Sequence, residues 1–101
     1  MAKYKLSNEA KYDLIRIYKY EVKKFGETQA DKYFNSFFEC FNTIANRPFS
    51  FETVDYIKSG YRRCPCGVDS IYYKLNNENI VEIMAIVRRQ DLKTFFEHNE
   101  S

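Results

Sequence analysis

The chain carries six arginines in 101 residues, and four of them stand as two adjacent pairs, Arg62-Arg63 and Arg88-Arg89. Guanidinium is a planar, permanently charged fork whose donors match carboxylate and phosphate oxygens. Two such pairs admit three uses: a solvated rim, a clamp on an acidic or phosphate-bearing partner, or stabilisation of the phosphorane formed when RNA is cut at a 2′-hydroxyl. The third use also needs a base for the hydroxyl and an acid for the leaving oxygen. The only histidine, His98, lies in a polar tail, so tyrosines beside arginine are the remaining candidates. A nuclease built on this chain would have to use Arg62, Arg88, Tyr61 and Tyr72, with Tyr73 close by.

The thiols point elsewhere. Three cysteines are an odd number; Cys40 lies in a helical pattern, and Cys64 and Cys66 are two apart on one predicted strand, where side chains point the same way. A structural zinc site takes about four ligands, which this chain does not offer. The expectation is therefore no metal, no cofactor and three ordinary reduced thiols of a cytosolic protein. A net charge of +2 and a pI near 8.4 fall short of the basic footprint, above about 9, of a free-standing nucleic-acid binder. No apolar run approaches the roughly 20 residues of a membrane span, and Met1 to Lys5 lacks the apolar core of a signal peptide, so a cytoplasmic location without membrane contact is expected.

With 45% hydrophobic residues the chain can support one core, and a single α+β domain over 1–101 is expected, with 97–101 as a frayed tail. Lys3 to Leu6 alternates polar and apolar, as a short strand does. Ser7 reads as an N-cap for a helix from Asn8 to Lys24, with Glu9 in its first turn. At the helical period Ala10, Leu14, Ile15, Ile17, Tyr18, Val22 and Phe25 share a broad apolar face, opposite Asp13, Arg16, Tyr20 and Lys23. Gly26 ends that helix. A second follows, in which Ala30, Tyr33, Phe34, Phe37, Phe38, Phe41, Ile44 and Ala45 hold the i, i+3, i+4, i+7 spacing without a break; Thr28 and Asp31 resemble a capping box, and Asn46-Arg47-Pro48 stops it. So short a connection folds the helices into an antiparallel hairpin.

From Phe49 to Ser59 the periodicity lapses into a loop whose Phe49, Phe51 and Val54 are expected to tuck against the end of the hairpin. Three strands follow: one opened by Gly60-Tyr61-Arg62-Arg63, one at Ile71 to Leu75, and one from Ile80 to Val87 that delivers Arg88-Arg89. Gly67 and Asn76 to Asn79 make the turns, so these strands run antiparallel. In the last strand Val81, Ile83, Ala85 and Val87 alternate with Ile80, Met84 and Ile86, which predicts an interior strand covered on both faces. Asp91 is expected to cap a final turn through Phe96. A helix hairpin covers one sheet face only, so Tyr72, Lys74, Ile80, Met84 and Ile86 are expected on a second face that either takes a partner or is covered by the 49–59 loop or by Phe95-Phe96.

Taken in order, Tyr4-Lys5-Leu6-Ser7, Ala10, Asp13-Leu14, Tyr18, Tyr20, Phe25-Gly26-Glu27, Gln29-Ala30, Tyr33, Ala45, Pro48, Gly60 to Arg63, Ile71-Tyr72-Tyr73 and Ile83 to Asp91 resemble the ParE toxins of the ParE/RelE superfamily over nearly the whole chain. The resemblance implies an N-terminal strand and an antiparallel helix hairpin packed on a small antiparallel sheet. It further implies the toxin of a type II toxin–antitoxin pair, neutralised by a ParD-like antitoxin and acting on DNA gyrase by protein contact, with DNA reached only through the antitoxin complex. On this reading the antitoxin meets Arg62, Arg63, Tyr72, Lys74, Met84 and Ile86, and the target meets Arg88, Arg89, Phe95 and Phe96. RelE-like members of the superfamily instead cut messenger RNA on the ribosome, and the alternatives are such an endoribonuclease or a non-toxic regulatory interaction domain. Where nuclease members place His, Tyr or Lys near the last strand, this chain reads Val87-Arg88-Arg89-Gln90-Asp91.

Overall fold

The computed structural model describes residues 3–88. The expected final turn from Asp91, the pair Phe95-Phe96, Arg89, His98 and the 97–101 tail lie outside the described residues. Strand β1 spans Tyr4–Leu6, helix α1 Asn8–Phe25, helix α2 Glu27–Asn46, and strands β2 to β5 Glu52–Thr53, Arg62–Cys66, Asp69–Leu75 and Val81–Arg88. The sheet order is β1-β5-β4-β3-β2. Strands β2 to β5 pair antiparallel, but β1 runs parallel to β5, so the sheet is mixed. Parallel neighbours need a long crossover, and here the hairpin and three strands supply it.

Ser7 fastens this arrangement. Its hydroxyl accepts from Ala10 N at 3.0 Å as the N-cap of α1 and donates to Met84 O at 2.9 Å. Its own N–H donates to Ile83 O at 2.9 Å. Gly26, at φ +89°, ends α1 with its N–H on Val22 O and also begins α2, a positive φ that a side chain would strain. The expected Thr28/Asp31 capping box does not form, because α2 already starts at Glu27; Asp31 instead accepts from Tyr18 Oη at 2.7 Å across the hairpin.

The hairpin lies on one sheet face. Ala10, Leu14 and Ile17 of α1 and Phe37, Phe41 and Ile44 of α2 pack on Ile71, Tyr73, Val81, Ile83 and Ile86. The apolar face of α1 is narrower than its periodicity suggests: Ile15 and Phe25 are 54% and 55% exposed. A single helical layer buries only the stripe toward the sheet and the flank toward α2. Conversely Asp13, expected on the solvent side, is largely buried and accepts from Ile86 N at 3.0 Å. That contact closes the edge of β5 beyond the end of β1, where a free N–H would otherwise invite another chain.

The β4–β5 register slips between Tyr72, opposite Ala85, and Tyr73, opposite Ile83, which leaves Met84 as an extra residue. Such a bulge reverses the alternation beyond it. Val81 and Ile83 face the helices, and past Met84 it is Ile86 that faces them, while Ala85 and Val87 turn to the other side. Ile86 therefore belongs to the main core and not to the second face where strict alternation places it. That second face is covered by the chain itself: Val54 joins Tyr72, Ala85 and Val87 in a second cluster, with Ile57 and Tyr61 packed against it. The 49–59 segment also holds β2, which the sequence reads as loop, and Phe51 meets the Tyr73 ring edge-on at a 6.4 Å centroid distance.

The cysteines depart from expectation as well. In place of three separate thiols, Cys40 of α2 and Cys66 of β3 are joined in a disulfide with Cα atoms 6.6 Å apart, and Cys64 is a free buried thiol. The hairpin crosses β3, so the helix cysteine meets a strand cysteine whose neighbour two residues earlier has no sulfur opposite it.

Candidate functional site

Adjacent residues on a strand point to opposite faces, so Arg62 and Arg63 cannot act as one cationic pair. Arg62 sits opposite Tyr73 on the helix side. Its Nη1 donates to Phe51 O at 2.7 Å and its guanidinium lies 5.2 Å from the centroid of the Phe49 ring, so it ties down the segment leading into β2. Arg63 sits opposite Tyr72 on the other face, donating from Nε to Ser70 Oγ at 3.0 Å and from Nη1 to Glu52 Oε1 at 2.6 Å.

Arg88 is placed where β5 meets both helices. Its Nη2 lies 3.8 Å from Glu21 of α1, its Nε 3.7 Å from Asp69 of β4, and its guanidinium is 5.1 Å from the centroid of the Tyr20 ring. Glu21 and Asp69 are 6% and 1% exposed. Tyr33 of α2 completes the cluster, donating to Asp69 Oδ2 at 2.5 Å and accepting from Val68 N at 3.2 Å. Burial, then the bond to Asp69 and its charge, pushes the Tyr33 hydroxyl well above the ordinary phenol range. Gly67 makes room for this ring: it has φ +61°, and a Cβ there would stand 2.5 Å from Tyr33 Cε1. A cation that balances two buried carboxylates is committed within the fold.

Among the described residues, Arg62, Arg88, Tyr61 and Tyr72, which RNA cleavage would use, are not brought together. Arg62 and Arg88 share a face, but Arg62 lies opposite Tyr73 and Arg88 opposite Asp69, four residues along β4, or about 13 Å. Tyr72 is on the reverse face at 0% exposure, and Tyr61 packs there beside it. Burial raises the hydroxyl of Tyr72 and pushes that of Tyr73 up to about 12, while Tyr73 Oη donates to Pro48 O at 2.6 Å. A tyrosine held neutral is a poor general base near pH 7.

Of the residues expected to meet a partner, Tyr72 and Ile86, the latter at 1% exposure, offer no side chain to the surface. Arg62, Arg63, Lys74 and Met84 remain at least partly accessible, with Lys74 3.9 Å from Glu82. The sequence reading overlooked the outer face of α1. There Lys11, Arg16, Lys19 and Lys23 are exposed around Tyr12 and Ile15, against Glu9 as the exposed acid of that helix. The signal was present in the lysine spacing but was overshadowed by the apolar stripe. Among the described residues no group of three or more His, Cys, Asp or Glu side chains could hold a metal, and no helix is long and apolar enough to cross a membrane.

Residues 4–92 match the family described as ParE toxin of type II toxin-antitoxin system, parDE. Toxin ParE1 of Caulobacter vibrioides is 30% identical over 89 residues, covering 88% of this chain and 91% of that protein. Toxin ParE1 of Mycobacterium tuberculosis is 22% identical over the same length and coverage. Among solved structures, a chain of the chromosomal ParDE TA system from P. aeruginosa superposes with a TM-score of 0.76 at 20% identity, over 87% of this chain and 96% of that one. A chain of the RelBE2 toxin–antitoxin complex from Mycobacterium tuberculosis gives 0.58 at 14% identity, over 87% and 98%. These likenesses extend to the two helices packed on a five-stranded sheet.

Proposed function

The chain belongs to the ParE toxins of type II toxin–antitoxin systems, and from that premise we propose that it acts by protein contact on DNA gyrase and is neutralised by a ParD-like antitoxin. The observation that carries the choice of protein contact over RNA cleavage is the dispersal of the arginines and tyrosines. Arg62, Arg63 and Arg88 each have partners within the fold, on two faces and at two ends of the sheet. Phosphoryl chemistry needs cations and a base converging on one phosphate. Contact chemistry needs only accessible, complementary surface.

The antitoxin reading rests on Arg62, Arg63, Lys74 and Met84, all partly accessible though on different faces, and on the basic outer face of α1 with Tyr12 and Ile15. An acidic antitoxin segment with apolar anchors would meet both kinds of group and order as it binds. Tyr72 and Ile86, buried in separate clusters, are not among its contacts. Target contact is assigned to the segment that leaves β5, with Arg88 as its fixed base and Arg89, Phe95 and Phe96 as its contacts.

Induction of the toxin in cells lacking the antitoxin tests the target. DNA breaks and an SOS response with intact messenger RNA are expected. Cuts phased with codons in translated messages, without DNA damage, would establish the ribosome-dependent endoribonuclease instead, and neither effect would leave a non-toxic interaction domain. Truncation after Arg88 keeps the Glu21 and Asp69 contacts, so it is expected to abolish DNA damage while preserving antitoxin binding measured by calorimetry.

A further inference from the structure

We propose that Cys40 and Cys66 form a reversible thiol–disulfide site that staples the helix layer to the sheet under oxidising conditions, with Cys64 as a bystander. The pair joins two different layers, α2 and β3, across 26 residues of sequence, and its Cα separation of 6.6 Å lies within the range that a disulfide spans. Closing a loop of that length removes many conformations from the unfolded chain. The staple also sits next to the Arg88 cluster: Tyr33, whose hydroxyl donates to Asp69 and accepts from Val68 N, lies 3.3 Å from Cys66 O. Oxidation of Cys66 therefore fixes the strand end on which the base of the C-terminal segment rests.

The two sulfurs differ in access. Cys66 is buried, whereas Cys40 is only partly so and is the entry point for a small disulfide such as oxidised glutathione. The Cys40 thiolate attacks one sulfur of the reagent, forming a mixed disulfide and releasing one equivalent of the small thiol. The Cys66 thiolate then attacks the Cys40 sulfur and releases the second. Two protein thiols and one small disulfide become one protein disulfide and two small thiols, so protons and electrons balance. Cys64 stands two residues from Cys66 on the same strand face and is equally buried, but it is Cys66 that faces Cys40 within disulfide reach, so position and not thiolate content selects the pair.

The test takes the full chain, treats it with either excess oxidised glutathione or dithiothreitol, removes the reagent, and then counts thiols after denaturation and records the melting temperature. One titratable thiol after oxidation and three after reduction are expected, with the oxidised form melting higher by roughly 10–25 °C. Cys64→Ser should keep that shift with zero and two thiols. Cys40→Ser and Cys66→Ser should each abolish it. Three thiols after oxidation, glutathione retained on Cys40, a Cys64–Cys66 link in the peptide map, or a shift that survives Cys40→Ser would each overturn the assignment.

Discussion

Replacing Arg88 by methionine isolates the part of this fold with the largest electrostatic commitment. The substitution retains an apolar side chain beside Tyr20 but leaves Glu21 and Asp69, both nearly inaccessible, without their shared cation. Breaking a buried pair by removing one partner costs about 3–5 kcal/mol, because the remaining charge is desolvated and unpaired. The separations of 3.7 and 3.8 Å exceed hydrogen-bond length, which argues for the lower end, about 3 kcal/mol. In a domain of this size each kcal/mol moves the melting temperature by roughly 4–8 °C, so a fall of about 12–24 °C is expected by thermal denaturation. The companion variant adds Asp69→Asn and Glu21→Gln, which remove the orphaned charges while keeping an acceptor for Tyr33. It should recover more than half of the loss, since effects within one network are not additive. The reasoning fails if Arg88→Met melts within about 3 °C of the unmodified protein, or if the triple variant is less stable than the single one.

Three other perturbations probe neighbouring contacts. Gly67→Ala combines a positive φ with a clash against the Tyr33 ring, and should lower stability by at least about 2 kcal/mol in urea titration, with loss of the Tyr33–Asp69 bond visible as a downward shift of the Tyr33 titration. Tyr73→Phe leaves Pro48 O without its donor and should cost about 1–2 kcal/mol while the fold, by circular dichroism, is unchanged. Burial raises the Asp13 carboxyl above 3.8 despite the Ile86 N–H and Arg16, so this group contributes stability that is complete below its unfolded value and lost as pH rises through its folded one. The unmodified protein should accordingly gain stability relative to Asp13→Asn as pH falls from 7 to about 4; a flat or opposite difference would refute the assignment.

The helix hairpin was legible because local period decides it. Phe37, Phe41 and Ile44 repeat as a buried stripe must, and they are buried. The turns at Gly26 and Gly67 were legible for a similar reason, since positive φ leaves few choices of residue. What escaped sequence reasoning depends on tertiary placement. Nothing local marks Met84 as an extra residue, yet that one residue transfers Ile86 to the main core and Val87 to the opposite cluster. Glu21 falls on the buried stripe of α1, and the cation that answers its charge, Arg88, comes from far along the chain. Arg62, Arg63 and Arg88 stand on strand ends as expected, but their partners, Phe51 O, Glu52, Ser70 and Asp69, are set by strand register, which a pattern of apolar residues does not encode.

The position of Ser7 has a consequence in time. Its hydroxyl and amide reach Met84 and Ile83, a span of 77 residues between Ser7 and Met84. During synthesis at about 5–20 residues per second, β1 waits roughly 4–15 s before β5, its parallel neighbour, exists. The hairpin, whose contacts are local, can form long before then. A ribosome that stalls within that interval carries a chain with a finished helical layer and a first strand that has not yet met β5, so the sheet closes around Ser7 only after β5 has been translated.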